Sequence, residues 1–171
     1  FQGVEHKFEG EQSDQAESVR QIGIGFLFAL IAMYVLMAIP LRSYLQPVII
    51  MSVIPFGIVG AVFGHIVMRT ELSIMSMCGF VALAGVVVND SLLMVDYVNR
   101  HRRDCTSVLE AAVKAGGVRF RAILLTSLTT FAGLMPILLE TDMQARFLVP
   151  MAISLGFGIL FATSITLVLV P

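Results

Sequence analysis

Five long apolar runs dominate the pattern of hydrophobic and polar positions along the chain. Each run has about the 20 predominantly apolar residues that a helix needs to cross a bilayer. Polar links separate the runs, and all but one of these links are short. The pattern therefore predicts an all-α membrane helical bundle of five transmembrane helices. The predicted spans lie near residues 22–41, 47–68, 72–98, 122–139 and 147–170.

The one long link, residues 99–121, is basic and has apolar residues at helical spacing in its middle. This spacing predicts a cytoplasmic amphipathic helix near residues 104–117, lying on the membrane surface. Arg42 and the long link together place seven of the 11 Lys and Arg residues on one side of the bundle. Because cytoplasmic loops are enriched in Lys and Arg, we expect a periplasmic N-terminus and a cytoplasmic C-terminus.

The start of the chain differs in kind from the rest, because it is polar and acidic. We expect residues 1–12 to be the tail of a periplasmic domain and residues 13–171 to form the transmembrane domain. Polar residues 13–20 are expected to form a helix that continues into the first span.

Composition supports a membrane protein and excludes several other classes. The chain is 57% hydrophobic and only 13% charged, whereas soluble domains have about 25% charged residues. The net charge of −1 and the lack of a basic stripe argue against a nucleic-acid partner. Cys78 and Cys105 lie far apart and outside any Cys/His pattern, so we expect no metal site and no cofactor.

The most informative residues are Asn89 and Asp90, which interrupt an apolar run in the third span. An ionised Asp in hydrocarbon costs about 2.5–3.5 kcal/mol on insertion scales, and intramembrane carboxylates most often mark ion or substrate pathways. Asp90 is therefore a candidate proton carrier. The alternative is that Asp90 only hydrogen-bonds a neighbouring helix. Asp96 lies nearer the cytoplasmic end and is expected to pair with Arg100, four residues on.

Hydroxyl side chains cluster in the fourth span, where Thr126 and Thr130 are candidate proton-relay residues. A hydroxyl can both donate and accept, so it can pass a proton or orient a carboxylate. We expect Thr126 or Thr130 to lie within hydrogen-bond reach, directly or through one water, of Asn89 or Asp90. The alternative is that each hydroxyl donates to a carbonyl of its own helix.

Small residues in the second span predict close helix packing. Gly60 and Gly64 form a GxxxG pattern, and Gly57 precedes them by one turn. Such patterns let two helices approach closely in a membrane.

Four segments together carry a resemblance to a known family: Phe8–Gln12, Val53–Gly60, Gly85–Asp96 and Arg119–Pro136. In this combination the chain resembles the C-terminal transmembrane part of resistance-nodulation-division (RND) efflux pumps. The resemblance implies the last five of twelve spans in an inner-membrane trimer that exchanges protons for drugs, metals or lipids.

The resemblance also implies partners and site residues. The partners would be the lipid bilayer, the first repeat and periplasmic porter domain of the same protein, a periplasmic adaptor and an outer-membrane channel. Thr126 matches the family's relay threonine, and Arg119 matches an arginine at the cytoplasmic mouth of the proton path. The chain departs from well-known drug exporters at Asn89 and Asp90, where those proteins carry Lys followed by Asn. A carboxylate in the second repeat would then replace, or add to, the usual ion pair.

The sequence thus predicts a part of an inner-membrane, proton-driven RND exporter. The alternative function is a same-fold transporter of the RND superfamily that exports lipids, sterols or proteins. An intramembrane aspartyl protease would need two aspartates at matched depth on adjacent spans, and Asp90 has no such partner in the sequence. No nucleophile and base pair is apparent, so we expect no enzyme activity.

Overall fold

The computed structural model describes residues 11–101, 108–140, 142 and 145–169, and these form helices connected by short links without any strand. The all-α prediction is therefore confirmed. The helices are α1 (Glu11–Leu41), α2 (Leu45–Met51), α3 (Ile54–Met68), α4 (Ile74–His101), α5 (Val108–Leu138) and α6 (Val149–Leu169). Within the described residues, five helical segments are long and apolar enough to cross a membrane, with α2 and α3 together making the second.

The helix boundaries differ in two places from those predicted from hydropathy. First, the second span is not one continuous helix: it is divided at Ser52 and Val53, because Pro55 has no amide hydrogen to continue the hydrogen-bond ladder. The amide of Phe56 instead donates to the Val53 carbonyl at 3.1 Å.

The second difference concerns the predicted surface helix and the predicted fourth span, which form one continuous helix. From residue 108 onward both lie in α5, which continues through Gly116 and Gly117 without a break. Residues 104–107 lie outside the described residues, as do residues 1–10 of the tail predicted for residues 1–12; Glu11 and Gln12 belong to α1.

Helix α6 packs against α3, α4 and α5. Its contact with α3 depends on small residues. A Cβ atom on Gly60 would clash with the Cβ atom of Phe161, and one on Gly64 would lie 2.5 Å from the Cβ atom of Phe157. The backbones of α3 and α6 therefore approach more closely than any side chain at these glycines would permit.

Helix α4 packs against the other helices through two separate apolar clusters. Ala84 and Val88 belong to a cluster with residues of α1, α2 and α3. Leu83 and Val87 belong to a second cluster with residues of α3 and α6. The buried face of α4 is thus wide. Helix α1, in contrast, is the most peripheral of the five spans, with only 6% of its apolar stretch buried.

Two hydrogen-bonded pairs fix the register between the second and third spans. Near one end, the side-chain amides of Gln46 and Asn99 exchange hydrogen bonds of 3.0 and 2.8 Å. Near the other end, the Nε2 atom of buried His65 lies 2.8 Å from the Ser76 hydroxyl. Together these pairs determine which residues of the two antiparallel spans lie at the same depth.

The glycine contact predicts a large difference between two substitutions. Gly60→Ala in the full-length protein should lower its thermal unfolding temperature in detergent, because overpacking a tight contact costs about 1–3 kcal/mol. The matched control is Gly25→Ala, since a methyl group at Gly25 meets nothing within 4 Å among the described residues. Equal unfolding temperatures for the two variants would contradict this packing.

Candidate functional site

Asp90 lies on the buried side of α4, in the middle of a membrane span, with only 8% of the residue exposed. Leu83 and Met94, at i−7 and i+4, share its helix face and are almost completely buried. No group among the described residues donates a hydrogen bond to its carboxylate. The Asp90 carboxylate therefore lies among apolar side chains. Within the described residues it has neither a countercharge nor a direct hydrogen bond.

Asn89 points in a different direction and is exposed on the surface of the five-span bundle. Gly85, one turn earlier on the same face, is also exposed, and a Cβ atom there would meet nothing within 4 Å. The two adjacent polar residues thus face different environments, one exposed and one buried, in keeping with the rotation of about 100° per residue.

The threonine hydroxyls of the fourth span donate to carbonyls of their own helix. The Thr126 hydroxyl donates to the Ala122 carbonyl at 2.9 Å, and the Thr130 hydroxyl donates to the Thr126 carbonyl at 2.8 Å. Neither hydroxyl makes a direct hydrogen bond to Asn89 or Asp90 in the described part of the chain. Their contribution to a proton path remains a prediction, since each oxygen keeps lone pairs with which it can accept.

Sequence reasoning missed a buried hydrogen bond between α5 and α6. The Oγ atom of Ser127 lies 2.6 Å from the Oγ1 atom of Thr163, and both residues are buried. The hydroxyl cluster of the fourth span was a signal that a polar partner exists. Ser127, however, faces α6, whereas the neighbouring Thr126 is exposed.

Arg119, predicted at the cytoplasmic mouth, lies on α5 beside the end of α4. Its guanidinium carbon is 5.2 Å from the centre of the Tyr97 ring, which is a cation–π distance. Tyr97 lies seven residues after Asp90, so both project from one side of α4. The Nε atom of Arg119 is buried and has no hydrogen-bond partner in the described structure. This contact with Tyr97 could not be read from the sequence, because it depends on how α4 and α5 pack.

The second carboxylate of this region has a different environment. Asp96 forms an ion pair with Arg100 at 2.9 Å, as the i, i+4 spacing predicts, and the Arg100 side chain is 74% exposed. Asp96 is thus partnered at the edge of the bundle, whereas Asp90 lies inside it.

The fold and this site define a polytopic membrane protein with an acidic residue inside its transmembrane bundle. The family model for the AcrB/AcrD/AcrF family matches residues 1–171, which is the whole chain. The chain therefore belongs to the AcrB/AcrD/AcrF family, and the resemblance to RND efflux transporters is confirmed.

Two known proteins are similar to this chain. The chain is 29% identical over 163 residues to the swarming motility protein SwrC of Bacillus subtilis (strain 168), covering 95% of this chain and 16% of SwrC. It is also similar to the crystal structure of a heavy metal efflux pump, with a TM-score of 0.86 and 28% identity. That match covers 99% of this chain and 17% of the pump. The chain thus spans about one sixth of the length of these relatives.

The Ser127–Thr163 contact predicts a measurable coupling between α5 and α6. Ser127→Ala and Thr163→Val should each lower the unfolding temperature of the full-length protein, because each leaves a buried hydroxyl without its partner. The double variant should lose less than the sum of the two, with a coupling of about 0.6 kcal/mol, typical of interhelical hydrogen bonds in membranes. Strictly additive losses would show that the hydroxyls do not stabilise the pair.

Proposed function

We propose that the protein containing this chain is a proton-driven RND exporter, and that these five spans supply the second-repeat helices of its proton-coupling domain. The observation that carries the proposal is the burial of Asp90 inside an apolar span without a countercharge among the described residues. A carboxylate is costly in such a place. A carboxylate that is present there despite this cost of membrane insertion is suited to bind and release a proton.

In this mechanism Asp90 alternates between an ionised and a protonated form. Protonation removes the only charge on the buried face of α4, among the described residues, and so changes how favourably this helix packs against its apolar neighbours. A ligand or proton can shift a conformational equilibrium only through such a difference between two states. The difference here is the free energy of burying a charge rather than a neutral acid.

The remaining polar groups have proposed positions along the path. Arg119, stacked on Tyr97, would lie at the cytoplasmic mouth. Asn89 is exposed on the surface of the bundle, where it is available to the first repeat. Thr126 and Thr130 would accept hydrogen bonds from waters in the path while their own hydrogens remain on helix carbonyls.

We also propose how these five spans fit into the full-length protein. The largely exposed surface of α1 and the exposed Asn89 face of α4 support packing against further spans of the same protein. We propose an inner-membrane location with the N-terminal end periplasmic and the C-terminal end cytoplasmic, supported by the basic bias of one side. The full-length protein would act as a homotrimer with a periplasmic adaptor and an outer-membrane channel.

The proposal predicts that one carboxylate matters to transport and its neighbour does not. In the full-length protein, Asp90→Asn should abolish export, because an amide cannot take up and release a proton, whereas Asp90→Glu should keep part of it. The matched control is Asp96→Asn, which removes an ion-paired carboxylate at the bundle edge and should leave export nearly unchanged.

Export would be measured in a pump-deficient bacterial host with ethidium and with Zn²⁺, using whichever probe the unmodified protein exports. Membrane abundance and size-exclusion profiles would show that all variants are assembled. Export by Asp90→Asn at the level of the unmodified protein would refute the proposal.

A further inference from the structure

A polar cavity of about 560 Å³ opens at one end of the bundle, where the link from α1 to α2 meets the end of α4. Arg42 and Gln46 line it on one side, and Asp96, Asn99 and Arg100 line it from α4. Its lining thus has two basic residues and one acidic residue among the described residues. The excess of positive charge favours an anion in this cavity over a cation.

Arg42 is the cation of this cavity that is available to a ligand. The Arg100 Nε atom pairs with the Asp96 carboxylate at 2.9 Å, so these two charges largely offset each other. The exposed Arg42 side chain makes no ion pair or hydrogen bond among the described residues. The amides of Gln46 and Asn99 bond each other through one N–H each, so each keeps a second N–H that can donate. These donors suit the oxygens of a phosphate group.

A second cavity, of about 430 Å³ and with a largely apolar lining, adjoins the first. The two cavities share Arg42 and Ser43 as lining residues. The second cavity extends back along α1 to Tyr34, eight residues before Arg42, which is about 12 Å at 1.5 Å per residue. Val35 and Ile39 line it and are 51% and 70% exposed, so this side of α1 is open to lipid. A polar recess at the end of the span therefore continues into an apolar groove within the membrane.

We propose that the two cavities together bind one anionic phospholipid of the adjacent leaflet. The phosphate accepts hydrogen bonds from the Arg42 guanidinium and from the free N–H groups of Gln46 and Asn99, while an acyl chain lies along α1 in the apolar cavity. Basic pockets between transmembrane helices on the cytoplasmic side bind anionic headgroups, and this end of the bundle is cytoplasmic in the proposed orientation. A free phosphate would use the polar cavity alone. The site does not depend on proton uptake by Asp90 and so goes beyond the proposed function.

The backbone at Arg42 permits a variant that removes the charge and leaves the fold intact. Arg42 has a φ of 47°, in the left-handed region that glycine adopts without strain. Arg42→Gly should therefore unfold at no lower a temperature than the unmodified protein in detergent without added lipid. The matched control is Arg69→Gly. Arg69 is also exposed, has a φ of 51°, ends α3 at the opposite end of the bundle and lines neither cavity.

Native mass spectrometry of the full-length protein, titrated with phosphatidylglycerol in detergent, tests the site. The tightest-bound lipid should bind about fivefold more weakly to Arg42→Gly, which corresponds to about 1 kcal/mol, the contribution of one basic residue near an anionic membrane surface. Arg42→Lys should retain most of the affinity because it keeps the charge, and Arg69→Gly should match the unmodified protein. Equal affinities of Arg42→Gly and Arg69→Gly for phosphatidylglycerol would overturn the proposal.

A titration with inorganic phosphate distinguishes a lipid from a free anion. Phosphatidylglycerol should raise the unfolding temperature of the unmodified protein, and should raise it less in Arg42→Gly, whereas inorganic phosphate should leave it unchanged. Stabilisation by inorganic phosphate equal to that by the lipid would contradict the lipid assignment. A cryo-electron microscopy map of the full-length protein in nanodiscs provides the direct view. Another segment of the protein filling the two cavities would also contradict it.

Discussion

Inside a bilayer, a buried polar group can be satisfied only by another part of the protein or by a trapped water, and this constraint organises the polar residues of the five spans. Most of them obey it locally or in pairs. Thr126 and Thr130 donate to carbonyls of their own helix, and Ser127 bonds Thr163 across α5 and α6. His65 bonds both the Ala61 carbonyl and Ser76. Against this background, the groups without a partner are the ones that require a functional explanation.

Asp90 and Ser91 are two such groups, and they are adjacent on α4. They point about 100° apart, so they serve different environments. Ser91 lies one turn after Val87, which packs with residues of α3 and α6. Asp90 shares a helix face with Tyr97 and hence lies on the side of the Arg119 contact. The glycines of the second span bring the backbones of α3 and α6 into close contact.

The sequence predicts the helices well because a 20-residue apolar run has few alternatives in a membrane. The break at Ser52 and Val53 had a visible signal in Pro55, but hydropathy averages over it. The continuity of α5 was missed because Gly116 and Gly117 resemble an end, whereas their cost in a helix is only about 1 kcal/mol each. Asp90 could be identified from the chemistry of the residue alone. The Ser127–Thr163 and Arg119–Tyr97 contacts could not, since both depend on the rotation of one helix against another.

The central claim is that Asp90 takes up and releases a proton inside the membrane, and infrared difference spectroscopy during a pH titration measures this directly. The full-length protein in lipid should show the carbonyl stretch of a protonated carboxylic acid that appears and disappears reversibly with pH. That band should be missing in Asp90→Asn and retained in Asp96→Asn. The same pH-dependent band in Asp90→Asn as in the unmodified protein would contradict the claim.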